Sequence, residues 1–140
     1  MNNRVLIDAG PLVALFSEDD AHHLRCADAL FTIKQPLLTC WPVVAEAAWL
    51  LRKRPVFLQN LCRSFGGGLF ALLPLDAEDL PAIAAIILRC EDARLQLADA
   101  ALAHLAEREN IRTIFTLDRR DFSIIRLKRN RTLKIIPEER

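Results

Sequence analysis

Short strand-like runs with no polar face, separated by helical patterns, constrain this chain most. Arg4–Ile7, Leu37–Cys40, Leu69–Leu73 and Thr113–Thr116 read as strands, with Leu133–Ile136 as a fifth. They are apolar on both faces instead of alternating, as strands of a parallel sheet covered on both sides must be. Between them the sequence predicts helices over Leu12–Phe16, Ala21–Ile33, Pro42–Lys53, Pro55–Phe65, Asp76–Arg89 and Leu97–Glu109. Asp20 is expected to cap the second, with Leu24, Ala27 and Phe31 on its buried face. Gly66-Gly67-Gly68 stops the fourth; it lacks the Lys-Ser/Thr of a phosphate loop. This alternation predicts a three-layer α/β/α sandwich with a mostly parallel sheet. No linker or repeat divides residues 1–140, so one domain is expected.

Composition excludes some function classes. At 52% hydrophobic and 26% charged residues the chain is no disordered tail. A net charge of +1 names no partner, but its distribution is uneven. Residues 108–140 carry ten basic and five acidic side chains, whereas the first 107 are net acidic. A basic C-terminal third suits a phosphate-bearing partner. No apolar run is long enough to span a bilayer, and Val5–Ile7 stops at Asp8, too soon for a signal-peptide core. Cys26, Cys40, Cys62 and Cys90 form no CxxC pair and read as small hydrophobes in a reducing cytoplasm.

In such sheets ligands bind beyond the carboxyl ends of the strands. Asp8 follows Val5-Leu6-Ile7 directly, and Asp118 follows the run ending at Thr116. Glu46 has helical neighbours Pro42, Val43, Trp49 and Leu50; Asp99 has Leu95, Gln96, Leu102 and Ala103. Each acid alone is open to a plainer reading, as a turn cap, a solvated shoulder or half of a salt bridge. Together the four suggest one carboxylate cluster. Its like charges would repel and raise one another's pKa, a conflict that a divalent cation removes. Oxygen ligands without His or Cys select a hard ion, Mg²⁺ or Mn²⁺, and carboxylate-held Mg²⁺ suits phosphodiester hydrolysis.

At these residues the chain resembles the PIN-domain proteins, specifically the VapC-type ribonuclease toxins. The matching stretches are VLIDAGPLVALF, TCWPVVAEAAWLL, LADAALAHLAERENI and TIFTLDRRDF. The resemblance implies an α/β/α sandwich that cuts RNA with Mg²⁺ or Mn²⁺, and a cognate antitoxin partner. It places the family's acids on Asp8, Glu46, Asp99 and Asp118, with the hydroxyl of Thr116 orienting a carboxylate or water. Gly10 and Ala45 depart from it, standing where many relatives carry hydroxyl or amide side chains. Asp121 reads as a cap or solvated group, with a further metal contact as the alternative.

Other catalytic patterns are absent. His22, His23 and His104 pair with no nucleophile, and Ser17, Ser64 and Ser123 lack a G-x-S-x-G elbow. Arg52-Lys53-Arg54 reads as a solvated helix end, with an RNA phosphate contact as the alternative. Arg119, Arg120, Arg126, Lys128, Arg129 and Arg131 form a second candidate set for the RNA backbone. Sparse aromatics argue against base stacking as the main source of affinity. Two rivals stand beside the toxin: an RNA-processing nuclease of the same fold without antitoxin, and a non-catalytic RNA- or protein-binding module. Trp41, Trp49, Phe57, Leu58 and Leu61 exceed what inward helix faces need, so a homodimer is expected.

Overall fold

A computed structural model describes residues 3–34 and 36–138. Five three-residue strands, β1 (Val5–Ile7), β2 (Leu37–Thr39), β3 (Phe70–Leu72), β4 (Thr113–Phe115) and β5 (Lys134–Ile136), form one sheet in the order β3-β2-β1-β4-β5. Every pairing is parallel, with Leu6 opposite Leu38 on one side of β1 and Ile114 on the other. Leu6, Ile7, Leu37, Ile114 and Phe115 are wholly buried, as the absence of a polar face requires.

Seven helices connect and cover the strands: α1 (Ala9–Phe16), α2 (His23–Phe31), α3 (Trp41–Leu50), α4 (Pro55–Gly66), α5 (Leu80–Arg89), α6 (Leu97–Glu109) and α7 (Arg119–Ile124). The chain steps outward from β1 to β2 to β3, then returns to the other side of β1 for β4 and β5. Right-handed crossovers running in opposite directions clothe both faces of a sheet, giving the expected α/β sandwich. The reversal lies between β1 and β4, where such sheets open a crevice at the strands' carboxyl ends. Helix α6 is the most enclosed, burying Ala98, Ala100–Ala103, Leu105 and Ala106, and packs against α5 and α3.

Several sequence expectations shift. Helix α1 begins at Ala9, before Pro11, because Asp8 caps it directly. Helix α2 begins at His23, with no side-chain cap; Asp20 instead accepts the His22 N–H at 2.8 Å. Its buried residue is Cys26, supported by Ala29, Leu30 and Ile33. Leu24 stands about 200° from Cys26 around the helix, so Leu24 and Phe31 face outward, 76% and 88% exposed. Helix α3 ends at Leu50, not Lys53. The stretch from Asp76 resolves into a 3₁₀ turn at Ala77–Asp79 followed by α5. Helix α7 had no apolar period long enough to announce it.

Candidate functional site

The site is built where β1 and β4 end side by side. The Asp8 N–H still bonds the Phe115 carbonyl at 3.0 Å, so Asp8 is held as the last rung of the ladder. Its Oδ1 accepts the Ala9 N–H at 2.8 Å and its Oδ2 accepts the Thr116 hydroxyl at 2.9 Å. The same Thr116 oxygen accepts the Asp118 N–H at 3.0 Å. One buried hydroxyl therefore fixes the Asp8 carboxylate and the turn that carries Asp118. On the other side of β1, the buried Thr39 hydroxyl donates to the Ile7 carbonyl at 2.9 Å, pinning the strand end from β2. Sequence reasoning singled out Thr116 but missed Thr39, whose β-branched shape in a strand run carries no distinguishing signal.

Asp118 caps α7, its Oδ1 accepting the Asp121 N–H at 3.2 Å. Glu46 lies half-buried in the middle of α3. Asp99 sits in the first turn of α6, where its Oδ2 accepts the Gln96 N–H at 3.1 Å. Packing of α3 on α6 puts Glu46 within the field of the Asp99 charge.

The electrostatics tie the four together. Asp8 is only 6% exposed. Burial pushes its carboxyl up to about 6 against the Ala9 and Thr116 hydrogen bonds, and the charges of Glu46 and Asp118 add to the rise. Asp99 is also pushed up to about 6, by burial first and then by the Asp8 charge, against the Gln96 hydrogen bond; Asp118 and Asp121 add further. Glu46 is raised by burial and by Asp99. Asp121, at the edge of the group, is raised by burial and by Asp118. Each sequence-predicted acid thus lies within the field of at least one other.

Among the described residues no three His, Cys, Asp or Glu side chains stand close enough to grip one ion as they are. The donor set fits a hard divalent cation, being oxygen-only, buried at its centre and strained by mutual repulsion. It does not fit a soft metal: the buried Cys40 thiol nearby is pushed up to about 11, chiefly by burial.

The basic run at the end of α3 is engaged locally. Arg52 stacks on Trp49 at 3.8 Å, and Arg54 lies over Phe57 at 4.2 Å and pairs with Asp19 at 3.0 Å. Arg119, next to Asp118, donates to the Pro137 carbonyl at 2.8 Å. His104 bonds Asp79 at 2.8 Å, a structural contact between α6 and the 3₁₀ turn before α5.

The chain is similar to known proteins in sequence and in fold. The PIN-domain family model matches residues 5–128. The chain is 33% identical over 124 residues to Ribonuclease VapC26 of Mycobacterium tuberculosis, spanning 87% of this chain and 92% of that protein. Among solved structures it is similar to VapC20 of Mycobacterium tuberculosis, described as a sarcin–ricin loop cleaving toxin. That match has a TM-score of 0.77 at 14% identity, over 84% of this chain and 92% of the other. It is also similar to VapBC2 from Rickettsia felis, solved bound to a DNA fragment from their promoter. There the TM-score is 0.64 at 15% identity, over 94% and 97% of the two chains.

Proposed function

The chain belongs to the PIN-domain family, and from that premise we infer that it is a ribonuclease, the toxin of a toxin–antitoxin pair. What supports the reading is the electrostatic coupling of Asp8, Glu46, Asp99 and Asp118 beside the reversal point of the sheet, where the charge of each raises the pKa of another. We assign these four carboxylates to hold Mg²⁺ or Mn²⁺. Held there, such an ion would supply positive charge to polarise the scissile phosphate and neutralise the leaving oxygen. Asp8 is the fixed member, locked by Thr116 and the Ala9 N–H. Asp99 is the second, oriented by the Gln96 N–H. Glu46 and Asp118 are less enclosed and supply the adjustable oxygens. Attack by water on phosphorus breaks the bond to one ester oxygen, and one carboxylate of the set would accept that water's proton.

An antitoxin is the partner this reading implies, and the pairing of VapBC2 in its relative supports it. We also propose that the chain forms a homodimer. Leu61 is buried and Phe57 and Leu58 are partly so, but Trp41 and Trp49 are 65% and 63% exposed, beside exposed Leu50 and Val56. Sedimentation of the purified chain should give twice 15.9 kDa; a monomer at micromolar concentration defeats the dimer. Among the described residues no helix is long and apolar enough to cross a membrane. The activity is tested by incubating purified protein with total RNA, with and without Mg²⁺ and with Asp8→Asn as control. Cleavage that needs Mg²⁺ and disappears in the variant is expected. Intact RNA in every lane, or equal cleavage by the variant, refutes the reading.

A further inference from the structure

The far end of α6 opens onto a cavity of about 680 Å³, at the amino ends of β4 and β5. Its walls include Arg112, Lys128, Arg129 and Arg131. The one carboxylate in its lining, Glu107, is 6% exposed and is already paired with Arg89 at 3.0 Å. The cavity is therefore strongly positive. Among the described residues Arg112, Lys128 and Arg129 join no ion pair, so these charges are not spent on the fold. Arg131 is held in place by Asn110 Oδ1 at 2.9 Å.

The backbone points the same way. Arg129 (φ 63) and Asn130 (φ 57) are both left-handed, in a turn closed by the Leu127–Arg131 bridge. Asparagine tolerates that conformation, but a long side chain seldom adopts it, and glycine would do so without strain. Strained side-chain positions of this kind cluster at functional sites.

The cavity and the acid cluster lie toward opposite ends of α6. Asp99 and Asn110 bracket α6, roughly 16 Å apart along its axis at 1.5 Å per residue. The segment from Asp118 through α7 to Lys128 runs between the acid cluster and the cavity, and carries Arg119, Arg120 and Arg126.

We propose that this cavity is a second phosphate-binding site, gripping the backbone of the RNA several nucleotides from the scissile bond. The proposal rests on the ribonuclease reading. No aromatic side chain lines the cavity, so it reads phosphate and ribose, not base identity.

The test uses the pair Lys128→Ala and Arg129→Gly in one chain. Glycine suits φ 63, so the variant should melt no lower than the parent. Binding of a fluorescent single-stranded 12-mer RNA is measured in EDTA across a salt series. The slope of log K against log salt should fall by about 1.4, roughly 0.7 for each phosphate of the single strand that the variant no longer neutralises. With Mg²⁺, KM for the 12-mer should rise about tenfold at unchanged kcat. A trinucleotide, too short to reach both sites, should be cleaved equally by parent and variant. An unchanged salt slope overturns the proposal even if both proteins cleave RNA. If the parent cleaves neither substrate, the ribonuclease reading fails, and the proposed role in substrate binding fails with it. Protection of the cavity by a nucleoside monophosphate, with the RNA slope unchanged, assigns the cavity to a free nucleotide and refutes RNA as its ligand.

Discussion

Replacing Asp8 by asparagine should stabilise the metal-free protein while abolishing its activity. The folded carboxyl titrates at about 6, against 3.8 unperturbed. Between those values the folded state binds more protons than the unfolded state, so stability falls as pH rises through this window and the full penalty stands above it. That displacement corresponds to roughly 3 kcal/mol at neutral pH. Asparagine retains the acceptor for the Ala9 N–H but turns the Thr116 contact around, because an amide nitrogen donates where Oδ2 accepted. Loss of that hydroxyl bond costs about 1 kcal/mol. The balance is about 2 kcal/mol, or some 5–8 °C in Tm for a domain of this size. Thermal melts of parent and Asp8→Asn in EDTA at pH 7.5 measure it. The advantage should vanish by about pH 4, as the penalty on the folded carboxyl fades on approach to the unperturbed value of 3.8, and Mg²⁺ should narrow it at neutral pH by stabilising the parent alone. A variant that melts lower than the parent at pH 7.5, or a difference that does not change with pH, would show that Asp8 is not the strained centre of the acid cluster.

Asp99→Asn should lower Mg²⁺-dependent cleavage at least about 100-fold, because it removes a direct ligand oxygen; equal rates at limiting Mg²⁺ would make Asp99 structural. Thr116→Val strips the donor from Asp8 and the acceptor from the Asp118 N–H together. It should cost about 1–3 kcal/mol of stability, measured by urea denaturation, and should reduce cleavage although no acid is touched. Asp79 is held down to about 2 by the Asp76 N–H, by His104 and by Arg108, against burial. Its contribution is present above 3.8 and lost as pH falls through 2, so Asp79→Asn should flatten the acid limb of a pH–Tm curve between those values and leave the neutral region parallel to the parent.

The sheet was legible because its signal is redundant. A strand covered on both faces has no polar positions to confuse it, and β1, β2, β3, β4 and β5 all fall inside the predicted runs. Helix ends were less legible, because caps are decided by geometry that sequence shows only in part. Asp20 has the right chemistry for a cap, yet its side chain closes a turn one residue before α2. The face of α2 was misread for a related reason. Leu24 and Phe31 outrank Cys26 in hydrophobicity, but the small thiol is what fits against α1, and the larger residues are left outside.

The acid cluster illustrates both the reach and the limit of the sequence. Asp8 and Asp118 were found because a carboxylate following an apolar strand lands at the sheet's carboxyl edge whatever the details of packing. Glu46 and Asp99 were found because helical neighbours at three and four residues are apolar, which marks a charge facing into packed surroundings. What spacing could not supply is the support around them. The departure at Gly10 removes a side chain on which a carboxylate could lean, yet Asp8 does not lean there. Its two oxygens are satisfied by the Ala9 N–H and by Thr116, more than a hundred residues away in sequence. Added carbon at residue 10 would meet the Leu117 side chain at 3.5 Å, an ordinary contact, so glycine is tolerated there and not required by space. The support for the first acid has thus come from the end of the neighbouring strand β4, and Thr116 is the residue whose replacement should separate loss of carboxylate orientation from loss of the carboxylate itself.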